Sequence, residues 1–77
     1  MYNLDKQISK EPLKINFSQN LEKIRRKNKI TQDELAYLIG VSRQTIYKWE
    51  ADICLPNLKK IQILLEVLDV TIEQLLF

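Results

Sequence analysis

From residue 17 onward, apolar positions fall mostly three and four apart, the spacing of one helix face, and cap-forming polar residues divide the run into five segments. Phe17, Leu21 and Ile24 predict a first helix reaching about Lys27, with Asn16 and Gln19 as a capping-box-like start. Thr31 and Glu34 predict a full capping box, and Ile30 with Leu35 supplies the matching hydrophobic staple. This second helix carries Leu35, Ala36, Leu38 and Ile39 and then meets Gly40, which enters left-handed backbone space without steric cost, so it is short and ends abruptly. Val41 separates the glycine from Ser42, the next N-cap, and helices joined by so brief a turn must cross at a steep angle. The third helix sets Ile46, Trp49 and Glu50 on one side and Arg43, Gln44, Tyr47 and Lys48 on the other, a face with no apolar partner to bury against.

Asp52 to Pro56 reads as a loop, and Asn57 caps a fourth helix in which Leu58, Ile61, Leu64, Leu65 and Leu68 are expected to supply much of the core. Val70, Thr71, Gln74 and Leu75 repeat the staple and the capping box, starting a short fifth helix that runs to Phe77 or nearly so. Residues 1–15 hold Lys6, Lys10, Glu11 and Pro12 among apolar residues without a period, and are expected to form an extended or disordered arm before a domain over residues 16–77. The expectation is an all-α, compact five-helix domain without strands.

Composition narrows the function. At 77 residues the chain fits one domain, and a domain of this size buries only about 60% of the surface its unfolded chain exposes. There is one cysteine and no histidine, so Cys54 is read as a small loop residue, with no disulfide, metal or redox centre expected. No Gly-rich phosphate loop or converging pair of carboxylates is present, so no enzyme, cofactor or small-molecule substrate is expected. The start lacks a signal peptide and no apolar run approaches the roughly 18 to 20 residues of a membrane span, which places the expected location in the cytoplasm.

Charge adds a direction. The net charge is only +2, yet Lys23, Arg25, Arg26, Lys27 and Lys29 form a block without an acid, while from Glu66 onward there is no base at all. One end can attract a polyanion; the plainer alternative is a solvated helix face. A helix fits the major groove of DNA, where Arg bridges O6 and N7 of guanine and Gln pairs with N6 and N7 of adenine, each worth about 1 to 3 kcal/mol of discrimination. Arg43 and Gln44 stand in the first turn of the third helix, and Gln32 opens the second, where backbone N–H groups can meet phosphate.

In order and spacing, Thr31-Gln32-Asp33-Glu34-Leu35-Ala36, Gly40-Val41-Ser42, Thr45-Ile46, Lys48-Trp49-Glu50, Pro56-Asn57-Leu58 and Leu68-Asp69-Val70-Thr71 resemble the Cro and phage-repressor helix-turn-helix family, also called XRE-type regulators. The resemblance covers residues 17–77 and implies a bacterial or phage-encoded, nucleoid-associated regulator of transcription, with repression the expected sense. It implies a recognition helix over about residues 43–51, with Arg43, Gln44 and Lys48 facing bases and Thr45 and Tyr47 beside them. Phosphate contacts are expected from Gln32, Ser42 and the basic block at Arg25, Arg26 and Lys27. Trp49 is expected to pack into the core, and Glu50 to be a structural carboxylate.

Two departures from the family pattern stand out. After the glutamate the family usually has Asn-Gly followed by basic residues, where this chain has Ala51-Asp52-Ile53-Cys54-Leu55. Asp52 must then take the turn that Gly would take freely, at a cost of about 1 kcal/mol or less. On the fourth helix Ile63 and Val67 lie roughly opposite the core stripe, and with Leu76 and Phe77 they are expected to make the self-complementary patch of a homodimer on a pseudo-palindromic operator; otherwise they cover the edge of the core. The competing function is an antitoxin or anti-repressor acting through protein contacts on the same scaffold.

Overall fold

The computed structural model describes residues 15–77, and the expected arm over 1–15 falls almost entirely outside them. Among the described residues lie five helices and no strand: α1 Phe17–Lys27, α2 Gln32–Ile39, α3 Arg43–Glu50, α4 Leu58–Leu68 and α5 Ile72–Leu76.

Four of these helices start on a side-chain oxygen that takes up a first-turn N–H. The Glu34 N–H donates to Thr31 Oγ1 at 3.1 Å while the Thr31 N–H donates to Glu34 Oε1 at 3.2 Å, and the Thr71–Gln74 box repeats this at 3.2 and 2.9 Å. Ser42 and Asn57 accept from the N–H groups of Thr45 and Lys60 at 3.2 and 2.9 Å. The start of α1 differs from expectation: the Asn16 side chain makes no cap bond. Its backbone N–H donates instead to the Leu76 carbonyl at 2.7 Å, and Asn20 Nδ2 donates to the Leu75 carbonyl at 3.1 Å. A tie to the far end of the domain has taken the place of a local cap.

Left-handed residues stop the helices. Gly40 has φ 81°, and its N–H and that of Val41 both donate to the Ala36 carbonyl, at 2.9 and 3.0 Å. Asp52 adopts φ 59° as expected, and Lys29 and Asp69 also enter this region, at φ 57° and 53°. Asp and Lys pay a steric cost there that Gly escapes.

The core draws on every helix: Phe17, Leu21, Leu35, Ala36, Ile39, Ile46, Trp49, Ile61, Leu64, Leu68 and Leu75 are buried. Phe17 meets Trp49 edge to face, with ring centroids 6.5 Å apart. In this packing α3 rests on α1 and α2, α5 closes against α1, and α4 backs α2. One expectation for α4 needs correction. Leu58, assigned to the core, is 80% exposed, because the buried stripe of α4 is centred on Ile61, Leu64 and Leu68 and Leu58 falls to its side. Of the expected dimer patch, Ile63 and Leu76 are half-buried against the protein's own core, which leaves only Val67 and Phe77 facing outward.

The turn after α2 yields a stability prediction. A Cβ added at Gly40 would meet nothing within 4 Å, so Gly40→Ala should cost only the left-handed backbone term, about 1 kcal/mol in urea unfolding. An unchanged midpoint would mean that the turn relaxes to negative φ without loss.

Candidate nucleic-acid interface

Eight residues make up α3, and their two sides have different fates. Ile46 and Trp49 are buried, whereas Arg43, Gln44, Tyr47 and Lys48 are exposed. The polar face read from the sequence is therefore presented to solvent. At its leading end Ser42 caps the helix and its Oγ lies 2.9 Å from Thr45 Oγ1, so these two hydroxyls are partly engaged with each other. Arg43 Nε comes within 3.8 Å of Asp33 Oδ1 on α2, but both side chains are largely exposed, and such a pair holds weakly in water.

What holds α3 at its angle is the carboxylate at its last position. Arg25 Nε donates to Glu50 Oε2 at 2.7 Å and its Nη2 donates to Oε1 at 3.0 Å, a two-pronged match of guanidinium to carboxylate. Gln32 Nε2 adds a third donor to Oε1 at 3.1 Å, and Arg25 Nη1 donates to the Ile30 carbonyl at 2.9 Å. Residues from α1 and α2 thus converge on one group of α3, and Arg25 is tied in addition to the turn before α2. The Arg25 and Glu50 side chains are only 10% and 5% exposed. The hydrogen bond to Glu50 holds the Arg25 guanidinium pKa above its ordinary value, against the opposing effect of burial, so the cation persists at any working pH.

This arrangement corrects the expected phosphate contacts. Arg25 is buried and its donors serve Glu50 and Ile30, so it is a bracing residue and not part of the cationic surface. Lys27 is exposed and lines a recess with Asp69 and Val70 at the α4–α5 turn. Arg26 does reach the right neighbourhood: with Gln32 and Tyr47 it lines a shallow recess of about 180 Å³, and it is exposed, with Nη2 2.8 Å from Glu22 Oε1 one turn back. The surface that survives comprises Arg43, Gln44, Tyr47 and Lys48 with Ser42 and Thr45 at its edge, flanked by Gln32 and Arg26. The inward turn of Arg25 had a signal in the sequence, since it follows Leu21 by four residues and so shares the helix side that is buried.

Among the described residues no group of three or more His, Cys, Asp or Glu side chains is placed to hold a metal ion. No helix among them is long and apolar enough to cross a membrane.

Residues 21–75 match a family model described as helix-turn-helix. Over 60 residues the chain is 35% identical to the HTH-type transcriptional activator BcrR of Enterococcus faecalis, a match covering 78% of this chain and 29% of that protein. Its fold is similar to the solution structure of the SOS-response transcriptional repressor LexA from Eubacterium rectale, with a TM-score of 0.75 and 36% identity over 79% of this chain and 65% of that one. The restriction-modification controller protein C.AhdI from Aeromonas hydrophila is similar too, with a TM-score of 0.71 and 29% identity over 77% of this chain and 89% of that one. The chain thus spans less than a third of the activator's length.

The brace can be tested by removing one side of it. Glu50→Ala strands the Arg25 cation in a dry setting and should lower unfolding free energy by about 3 to 5 kcal/mol. The double change Arg25→Met with Glu50→Leu should recover most of that loss in the same denaturant titration, because an apolar pair of similar volume leaves no charge uncompensated. A small loss in the single variant would mean that water already reaches the pair.

Proposed function

Because the chain belongs to the helix-turn-helix family of XRE type, with α2 and α3 as its two-helix unit, we propose that it binds double-stranded DNA sequence-selectively and regulates transcription in the cytoplasm. The observation that carries this reading is the solvent-facing side of α3, which bears Arg43, Gln44, Tyr47 and Lys48 on a helix whose other side is packed and braced. With α3 laid in the major groove, Arg43 and Gln44 in its first turn meet base edges, with Lys48, Thr45 and Tyr47 further along. Ser42, Gln32 and Arg26 meet phosphate on either side, which sets the register of the helix and leaves base choice to the α3 face. Two copies on a pseudo-palindromic site put their α3 helices in successive major grooves, about 34 Å apart. The related proteins include one activator and one repressor by name, so the proposal covers regulation and leaves its sign to the position of the bound site.

Binding to duplex DNA in a salt titration tests this directly. Affinity should fall steeply as salt rises, with a log–log slope of about −0.9 for each phosphate neutralised. Arg26→Ala should reduce that slope by about 1 and weaken every sequence alike, whereas Gln44→Ala should cost about 1 to 3 kcal/mol at a single base pair of the selected site. Absence of binding to any duplex at low salt would favour a purely protein-binding module. Equal loss on all sequences from Gln44→Ala would instead mean that another face reads the bases.

A further inference from the structure

Two acids stand in the first turn of α2, and they have different partners. Glu34 is committed to the capping box, its Oε1 accepting the Thr31 N–H at 3.2 Å. Asp33 takes no part in that box and faces α3, where its Oδ1 lies 3.8 Å from Arg43 Nε. In the proposed docking this end of α2 approaches phosphate, and an anion there repels the DNA backbone, lowering affinity for every sequence alike. The α2 dipole favours an acid in that turn, but Glu34 already supplies one. The dipole gives no reason for a second acid set against the leading arginine of the reading face.

The side of Arg43 that Asp33 meets decides what remains. A guanidinium carries five N–H donors fixed in one rigid plane, so an acceptor on one edge leaves the others free. Asp33 stands on the Nε side. The parallel donors of Nη1 and Nη2 therefore stay open, and such a pair matches O6 and N7 of guanine. In the free protein the two side chains are 68% and 72% exposed, so water screens the pair and Arg43 keeps much of its freedom. Laid in the groove, α3 sheds that water. The attraction between the charges then strengthens as the local dielectric falls, and one orientation of the long side chain is held.

We infer that Asp33 is a positioning residue for base choice, steadying Arg43 from its Nε side so that the Nη1–Nη2 edge meets guanine. The inference rests on the DNA reading above and deepens it, because it assigns guanine to the base pair under Arg43 and gives sequence preference to a residue of α2 that touches no base. Affinity and selectivity thereby take opposite signs at one position: Asp33 weakens binding to duplexes in general and sharpens the choice at one base pair.

Sites selected by the wild-type chain from a random duplex library supply the test, with binding then measured on the selected duplex and on duplexes altered one base pair at a time. Arg43→Ala identifies the base pair that Arg43 reads, where preference for guanine should drop by about tenfold or more. Asp33→Asn keeps the size of the side chain and removes its charge. It should bind all duplexes about threefold more tightly at low salt, a gain that shrinks as salt is added. Its preference for guanine at that one base pair should nevertheless fall by about fivefold. Added to Arg43→Ala, the same change should leave base preference untouched, since it acts through Arg43. Because Asp33 is exposed, the urea midpoint and helical circular dichroism of Asp33→Asn should stay close to wild type. Tighter binding with guanine preference intact would overturn the inference and leave Asp33 as plain repulsion. A base other than guanine under Arg43, or a further change of preference when Asp33→Asn is added to Arg43→Ala, would overturn it as well. A wild type that binds no duplex even at low salt would overturn the DNA reading and this inference together.

Discussion

One carboxylate fixes the geometry on which the rest depends. Glu50 ends α3, and the three donors that reach it come from Arg25 on α1 and Gln32 at the start of α2. Ile46 and Trp49 already press α3 onto the core, but packing of apolar surfaces tolerates rotation of a short helix about its contact. A two-pronged guanidinium–carboxylate match does not, because both prongs have to stay in line. An ion pair this dry contributes little net stability compared with an apolar substitute. Its value lies in angle: it sets where the Arg43 and Gln44 side chains begin.

The same cluster ties the two neighbouring roles of α2 together. Gln32 occupies the first helical position, so its backbone N–H is among the groups left without an intrahelical acceptor, while its side chain is engaged with Glu50. Whatever the N-terminus of α2 meets is thereby linked through one side chain to the end of α3. Arg25, taken from the basic block for this purpose, is charge the surface gives up, and Asp52 in place of a basic loop residue gives up more. The cationic face that remains is narrow, made of Arg26 beside Tyr47 and of Arg43 and Lys48 on α3.

Most helix boundaries were legible in the sequence because they are decided locally. The Thr31 and Thr71 boxes, the Ser42 and Asn57 caps and the left-handed Gly40 each depend on residues within one turn, and each stands where its residues predict. The misreadings share an opposite cause. Asn16 forgoes a local cap because Leu76 offers its N–H an acceptor from the other end of the domain. Arg25 looks like its basic neighbours until Glu50, 25 residues on, is folded against it. Leu58 fits the spacing of a core stripe yet is exposed, since spacing gives a face and not the direction in which the remainder of the protein lies. On the candidate site, residue types and exposure were readable for α3; among the cations of α1 the inward place of Arg25 had a local signal, four residues after Leu21, whereas its partner Glu50 had none.

Narrowness of the reading face has a consequence for assembly. Each well-made base contact discriminates by about 1 to 3 kcal/mol. The first turns of an eight-residue helix offer few such contacts. A genome presents about 10⁶ or more competing sites, which at about 1.4 kcal/mol per factor of ten demands roughly 8 kcal/mol of preference before any one site is favoured. On the proposed reading, one copy of α3, with Arg43, Gln44 and Lys48 as its strongest groups, sits near or below that demand. A second copy held rigidly beside the first doubles the discrimination at a modest further cost in ordering, and adds it as one event because the two are already joined.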